Sequence, residues 1–296
     1  MSAGDYIQFV LAPQVFTGLM FGIAVILVAL GLTIIFGLLD VINMAHGEFY
    51  ALGAFIALVL ASIGFPFWLL LAVVPLLMMP VGYAVERLLI QRVFHSKDRH
   101  ITTLLLTLGL SIVMEDSLRL VFGANPYRPD MPIHGAIQFL GIYLPTYRLF
   151  LIVFGAVAIG FVAFVVYRTR LGAMVRAAAF DRHMAASLGI PVERIFGGAF
   201  AFGVALAGLA GVLLAPIYSV FPTMGRDFVF LAFTVVIVGG MGSIAGAVVA
   251  GLLITQIQAM SSLIVSPVWS DPIVFGFMVL VLVVRPQGLF GRLGHA

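Results

Sequence analysis

From Tyr6 to Leu39 the chain carries not one charged side chain. A helix needs ~20 apolar residues to cross the hydrocarbon core of a bilayer, so this stretch is longer than one crossing requires. The rest of the chain is built the same way. Of its 296 residues, 63% are hydrophobic and 9% charged, and the mean hydropathy is +1.21. A soluble domain carries roughly 25% charged residues, so hydrocarbon must solvate much of this surface. The chain is therefore expected to be an all-α integral membrane protein, a polytopic helical bundle forming one transmembrane unit over residues 1–296, with the lipid bilayer as its first partner.

The net charge is only +3, despite a sequence pI near 9.4, and the basic residues sit in short loops between apolar runs. That is the membrane-orientation pattern and not a phosphate-binding face, so nucleic acid is not a partner. Cysteine is absent, so there are no disulfides and no thiolate metal sites, and no metal is expected. The opening MSAGDYIQFVLAPQV lacks the Lys/Arg start of a cleavable signal peptide, and its first apolar run is too long for one. The first span is expected to be retained.

Pro13 divides the first run into a short interfacial lead-in and a span over residues 15–38. Further apolar runs cover residues 49–63, 67–85, 101–114, 149–167, 196–218, 228–260 and 272–284. Arg87, Arg92, Lys97 and Arg99 lie in one loop, Arg168, Arg170, Arg176, Arg182 and Arg194 in a second, and Arg285 and Arg292 in the C-terminal tail. Short loops rich in Lys and Arg mark the cytoplasmic side. The C-terminus is then cytoplasmic and the N-terminus periplasmic. Residues 228–260 must enter and return, and their first piece is too short to cross. The expected count is about eight hydrophobic segments, seven full spans plus a broken, re-entrant pair.

Two interruptions share a form. The first holds Asp40, Asn43, His46, Gly47 and Glu48, and the second Gly239, Gly240, Met241, Gly242 and Ser243. Each follows an apolar run and opens a small-residue helix. Interrupted hydrophobic segments point to a transport site, because non-helical backbone at membrane depth is tolerated only where protein buries it or water lines it. A helix N-terminus there offers free N–H groups and a positive dipole end, which suit a carboxylate. Asn43, His46, Glu48, Gly239, Gly240, Gly242 and Ser243 are the candidate translocation-path residues. Ser243 is placed to cap the second helix, and Asn43 or His46 the first. The plainer reading makes Glu48 a first-turn acid at the cytoplasmic interface and the glycines packing positions. Gly203, Ala207 and Gly211 form a small-xxx-small stripe for helix packing. Glu115, Asp116 and Arg119 read as an i,i+4 pair at the outer interface in preference to an intramembrane proton relay, which would place its acids deeper and unpaired.

The segment at about residues 168–195 differs from the other loops. It is Ala-rich with mixed charge, helix-forming over residues 172–188, and ends at Gly189 with Pro191 just beyond. Such a helix is suited to lie across the cytoplasmic mouth, either docked on another protein or held to the bilayer by its arginines.

The strings GLLDVINMAHGEFYALGAF, RAAAFDRHMAASLGIPVERIF, AFGVALAGLAGVLLAPIYSVFPTMG and VVIVGGMGSIAGAVVAGLL, followed by RPQGLFG, occur in this order along nearly the whole chain. Together they resemble the branched-chain amino acid ABC-importer permeases, and more closely the shorter of their two membrane subunits. The resemblance implies the ABC-importer permease fold, the bacterial inner membrane, and a heteromeric importer. Its other members would be a paralogous permease subunit, two ABC ATP-binding subunits that hold the ATP and Mg, and a periplasmic solute-binding protein. Arg176, Asp181, Ala185 and Gly189 then fall in the segment that couples to an ATPase subunit. The glutamate–alanine–alanine signature of many other importers is not literally present.

An independent check concerns energy. A Walker A loop, GxxxxGKS/T, needs a lysine for the phosphates, and the only lysine here is Lys97, after Phe94, His95 and Ser96. The chain is not an ATPase, binds no cofactor of its own, and must take its energy from another polypeptide or an ion gradient. His46, His95, His100, His134, His183 and His295 form no HExxH, and no GxSxG is present. A permease of a related importer for urea, amides or aromatic acids is the nearest alternative, and an ion-coupled secondary transporter ranks below it. The expected cycle is alternating access, with the solute crossing at the interface of two permease subunits.

Overall fold

The computed structural model describes residues 7–94, 96–139 and 142–291. Residues 1–6, His95 and the tail from Arg292, which entered the charge reading, lie outside the described residues. The first span, α1 (Ala12–Leu39), is continuous with a π turn at Ile7–Leu11. Pro13 does not interrupt it but stands just past the change from the π turn to the α-helix, in the first turn of α1. After an extended stretch follow α2 (His46–Ser62) and α3 (Phe67–Val85), the latter prolonged through a π turn at Glu86–Ile90 to Val93. Much of the segment read as a basic loop is therefore helical. Next come α4 (Arg99–Phe122), a hairpin of β1 (Ala136–Phe139) and β2 (Ile142–Pro145), and α5 (Thr146–Arg168). The chain ends with α6 (Arg170–Phe180), α7 (Arg182–Ser187), α8 (Val192–Leu214), α9 (Met224–Gly239), α10 (Ile244–Ser261) and α11 (Ser270–Val284).

Six helices among the described residues are long and apolar enough to cross a membrane. They are α1, α3, α5, α8 and α10, with α11 counted from its preceding turn. The all-helical class holds, with the small hairpin as its one ornament, while the count of about eight is approximate. α2 has 17 residues, α9 has 16, and α4 is long enough at 24 but carries Glu115, Asp116 and Arg119.

Burial explains the arrangement. α1 and α8 are apolar on every side and buried almost throughout, as an all-round hydrophobic helix must be when other helices surround it. Gly31 of α1 and Gly203 of α8 meet backbone to backbone, and a Cβ on Gly203 would come 2.8 Å from the Gly31 carbonyl oxygen. Gly211 lies against the backbone of Tyr50 and Ala54 in α2, and Ala207 is fully buried. The small-residue stripe thus packs α8 on α1 and α2, where dispersion replaces the hydrophobic drive that lipid does not supply. α3, α5 and α11 expose most of their apolar surface at the periphery.

The two ends of the bundle differ. One end gathers Asp40, Arg99, the α6 and α7 region, Met241, Gly242 and Phe290 around two adjoining cavities. This is the basic end. The opposite end gathers residues 61–67, 128–132 and 215–216, and Tyr127 pairs with Val220 there in a short antiparallel bridge.

Candidate functional site

Depth is read from α1. His46, the first residue of α2, points its Nε2 at the Val28 carbonyl oxygen, 3.1 Å away. Val28 lies about 16 Å along the helix from Leu39, at 1.5 Å per residue, so α2 begins in the middle of the bundle. Residues 40–45 carry the chain inward from the basic end. Asp40 turns the chain in the left-handed region at φ 51°, a conformation Asp tolerates better than most residues. The unwound backbone is then satisfied piece by piece. Thr107 of α4 accepts from the Met44 N–H at 3.1 Å and donates to the Ile42 carbonyl at 3.2 Å. Asn43 Oδ1 accepts from the Ala45 N–H at 3.1 Å in the turn before α2, but the residue at the N-cap is Ala45 and neither Asn43 nor His46 caps the helix with its side chain.

A second helix starts at the same place from the other side. Met224 and Gly225 begin α9, and a Cβ on Gly47 would overlap the Gly225 carbonyl. Glu48 Oε2 faces Gly225, within 2.6 Å of where its Cβ would stand. Tyr50 stacks on Phe228 at 4.0 Å between ring centres and fixes the two helices together. Two helix N-termini, each with a positive dipole end, therefore meet around Glu48 in the interior. Ser111 of α4 donates to Glu48 Oε1 at 3.1 Å. Asn43, His46 and Glu48 are all buried. Asn43 Nδ2, His46 Nδ1 and Glu48 Oε2 have no hydrogen-bond partner. A native protein leaves few such groups, and three of them stand here within one turn of a helix start.

The second interruption lies elsewhere. Gly239 ends α9 at the basic end, and Ser243 caps α10 by accepting from the Gly246 N–H at 3.0 Å. The C-terminal segment folds across it. The Leu289 N–H donates to Val238 O at 2.8 Å, and the Phe290 N–H to Gly239 O at 3.0 Å. Gly240 has φ +99°, and a Cβ there would strike Gly291. Gly242 touches Gly37 at the end of α1. The predicted path residues therefore fall into two groups, Asn43, His46 and Glu48 at mid-depth, and Gly239, Gly240, Gly242 and Ser243 at the basic mouth.

Beside that mouth stands the segment expected to be one helix over residues 172–188. It is two helices, broken at Asp181, whose backbone is extended at φ −151°. Asp181 Oδ1 caps α7, accepting from His183 N–H at 2.8 Å and Met184 N–H at 2.9 Å. The Met184 bond, with that of His183, holds the Asp181 carboxyl below the usual range. Propensity favours Ala-rich continuity, but an aspartate in the cap position wins. Ala185 is buried, and Gly189 closes α7 at φ +83°. Arg176 donates to the Val166 carbonyl and lies 5.9 Å over the Tyr167 ring, tying α6 to the end of α5. Phe180 is 92% exposed. A cavity of about 580 Å³ separates Phe180, Asp181 and Arg182 from Asp40, Arg99 and Gly242.

Arg226 escaped the sequence reading, as did the depth of Glu115. The expected i,i+4 pair is present, Glu115 to Arg119 at 2.9 Å, but Glu115 is buried and also joins Arg226 of α9, so the pair is half of an inter-helix network. Arg226 sits one residue from the point where α9 meets Glu48. The available signal was the row Arg99, Thr103, Thr107, Ser111, Glu115 and Arg119, polar at every fourth position of α4. Among the described residues no group of three or more His, Asp or Glu side chains converges to hold a metal ion.

The family model described as "Branched-chain amino acid transport system / permease component" matches residues 14–283. The chain is 31% identical over 296 residues to the high-affinity branched-chain amino acid transport system permease protein LivH of Escherichia coli K12, covering 94% of this chain and 95% of LivH. It is 31% identical over 300 residues to the permease protein BraD of a like-named system in Pseudomonas aeruginosa, with the same coverages. LivM, a second permease protein of that name in Escherichia coli K12, is 27% identical and covered over 67% of its length. No solved structure matches the chain significantly. With the family model spanning the bundle from the first turn of α1 to the end of α11, this chain belongs to the permease-component family of branched-chain amino acid transport systems.

Proposed function

We propose that the chain is one membrane-spanning subunit of an ABC importer that carries branched-chain amino acids inward across the bacterial inner membrane. The observation that carries this reading is the meeting of α2 and α9 around Asn43, His46 and Glu48, each buried with one polar atom left without a partner, in a chain of this family. The path runs past these three residues and leaves by the mouth bordered by Gly239, Gly240, Gly242 and Ser243. A second permease subunit completes the pore, a reading supported by LivH and LivM being two permease proteins of one named system in one organism. The basic end faces the cytoplasm, which puts the N-terminus in the periplasm and the C-terminus inside. A periplasmic binding protein delivers the solute there.

Energy enters from two ATP-binding subunits, which hold the ATP and Mg. Their docking element is the segment at about residues 168–195, with Arg176 anchoring α6, Asp181 setting the bend, and Ala185 and Gly189 shaping α7. Closure of the ATPase pair pulls this bent pair, and the bundle rocks between outward and inward openings. Asp181→Arg should abolish leucine uptake and transport-coupled ATP hydrolysis while membrane insertion stays normal. Asp181→Asn, which keeps a capping side chain, should retain most of both. Normal uptake by the arginine variant, in cells lacking every other leucine importer, would sink the coupling assignment.

A further inference from the structure

α4 meets the rest of the subunit along its polar row, and the row is closed at both ends by charge. At the basic end Arg99 binds Asp40 at 2.8 Å. About 24 Å further along the helix, at 1.5 Å per residue, Glu115 binds Arg226 of α9. Between these ion pairs the polar contacts are single hydrogen bonds, Thr107 to the unwound backbone and Ser111 to Glu48, beside the apolar contacts of Leu106, Leu110 and Met114. The three unpartnered groups, Asn43 Nδ2, His46 Nδ1 and Glu48 Oε2, lie in this same interval. The flanks of α4 are apolar and exposed, at Leu105, Leu108, Ile112 and Val113.

This is a poor design for a permanent joint. One apolar flank of α4 is left facing outward, and hydrogen bonds between membrane helices contribute little. Where this protein needs a fixed joint it uses bare backbone, as at Gly31 and Gly203. Hydrogen bonds and ion pairs have a different property: water or a polar solute can take either partner's place.

Resting on the proposed amino-acid reading, we infer that the α4 row is the wall of the translocation path within this subunit. The Asp40–Arg99 and Glu115–Arg226 pairs are its inner and outer gates, and the solute it admits is an α-amino acid zwitterion. The donor count at the centre fits that ligand. His46 Nε2 donates to the Val28 carbonyl, which leaves Nδ1 of the neutral ring as an acceptor. Glu48 Oε2 is a second free acceptor and Asn43 Nδ2 a free donor. An ammonium group supplies donors only, so Glu48 and His46 receive it. The carboxylate then lies toward Asn43 and, at the outer gate, Arg226. Opening one gate exchanges an internal ion pair for an equivalent pair with the solute.

The chain has no cysteine, so a single introduced thiol reports cleanly. In the assembled transporter in proteoliposomes, Ser111→Cys should react with a small maleimide during ATP turnover, and saturating leucine should slow that reaction at least fivefold. Isocaproate, which is leucine without its ammonium, should not protect. Leu108→Cys, on the exposed flank, should show no leucine effect. If the Ser111→Cys transporter still takes up leucine but its thiol is unreactive, or reacts equally with and without leucine, the seam is not the path. A route confined to the interface between subunits would give that result. Protection by isocaproate equal to that by leucine would overturn the zwitterion assignment. Failure of the wild-type complex to take up any branched-chain amino acid would instead remove the functional reading on which the seam rests.

Discussion

The two breaks in the hydrophobic pattern look alike in sequence and are opposites in structure. At the first, the chain descends from Asp40 to mid-depth, and the helix it starts leaves Asn43, His46 and Glu48 partly unpaired. At the second, the chain merely turns at the basic rim. Ser243 caps the next helix, and the C-terminal segment takes the Val238 and Gly239 carbonyls that α9 leaves free. One interruption is an unsettled account of polar groups and the other a settled one. The difference separates a helix start with free buried polar atoms from a turn whose groups are paired.

Substitution should split them, and the largest effect is expected at Glu48. Glu48→Gln should cut leucine uptake at least tenfold while the purified complex melts at nearly the same temperature, since glutamine keeps an acceptor for Ser111 and removes only a buried oxygen that has no partner. A variant that falls apart in detergent would make Glu48 a structural acid. Gly240→Leu should behave the other way. Its φ of +99° makes any side chain cost about 1–3 kcal/mol, and the added Cβ evicts the C-terminal strap. The complex should melt several degrees lower, with uptake falling in proportion to the protein lost. Blocked uptake in a complex of unchanged stability would place Gly240 in the path itself. The smallest effect is expected for Ser243→Ala, about 1 kcal/mol for a lost cap, read as a small drop in melting temperature with uptake per assembled complex unchanged.

Much of this fold was legible because hydropathy and helix punctuation are local. The uncharged first run, the Gly189 stop, the Ser243 cap and the Gly203–Ala207–Gly211 stripe can each be read within a few residues. What escaped depends on depth or on distant partners. Nothing in the residues around Gly239 says that they lie at the rim, whereas those around His46 lie in the middle. Hydropathy measures how long a chain stays apolar, not where it stands. The bend at Asp181 was hidden because Ala-rich propensity outweighed a single capping side chain in the reading. The α4 row was visible as a period of four, but its meaning needed Arg226, more than a hundred residues away in sequence. Of the candidate site, Asn43, His46 and Glu48 are brought together with Ser111, which belongs to that row, and with Gly225, which carried no signal of its own.

The burial of α1 has a consequence for how the protein is made. This helix leaves the ribosome well before its covering helices α8 and α10, which begin about 150 and 200 residues later. At synthesis rates of about 5–20 residues per second, it waits in lipid for roughly 10–40 s before its final neighbours exist. Its all-round apolar surface, broken in the buried part only by Thr33, is thus selected twice. The membrane must accept it first as a lone span, and the bundle must then close around it.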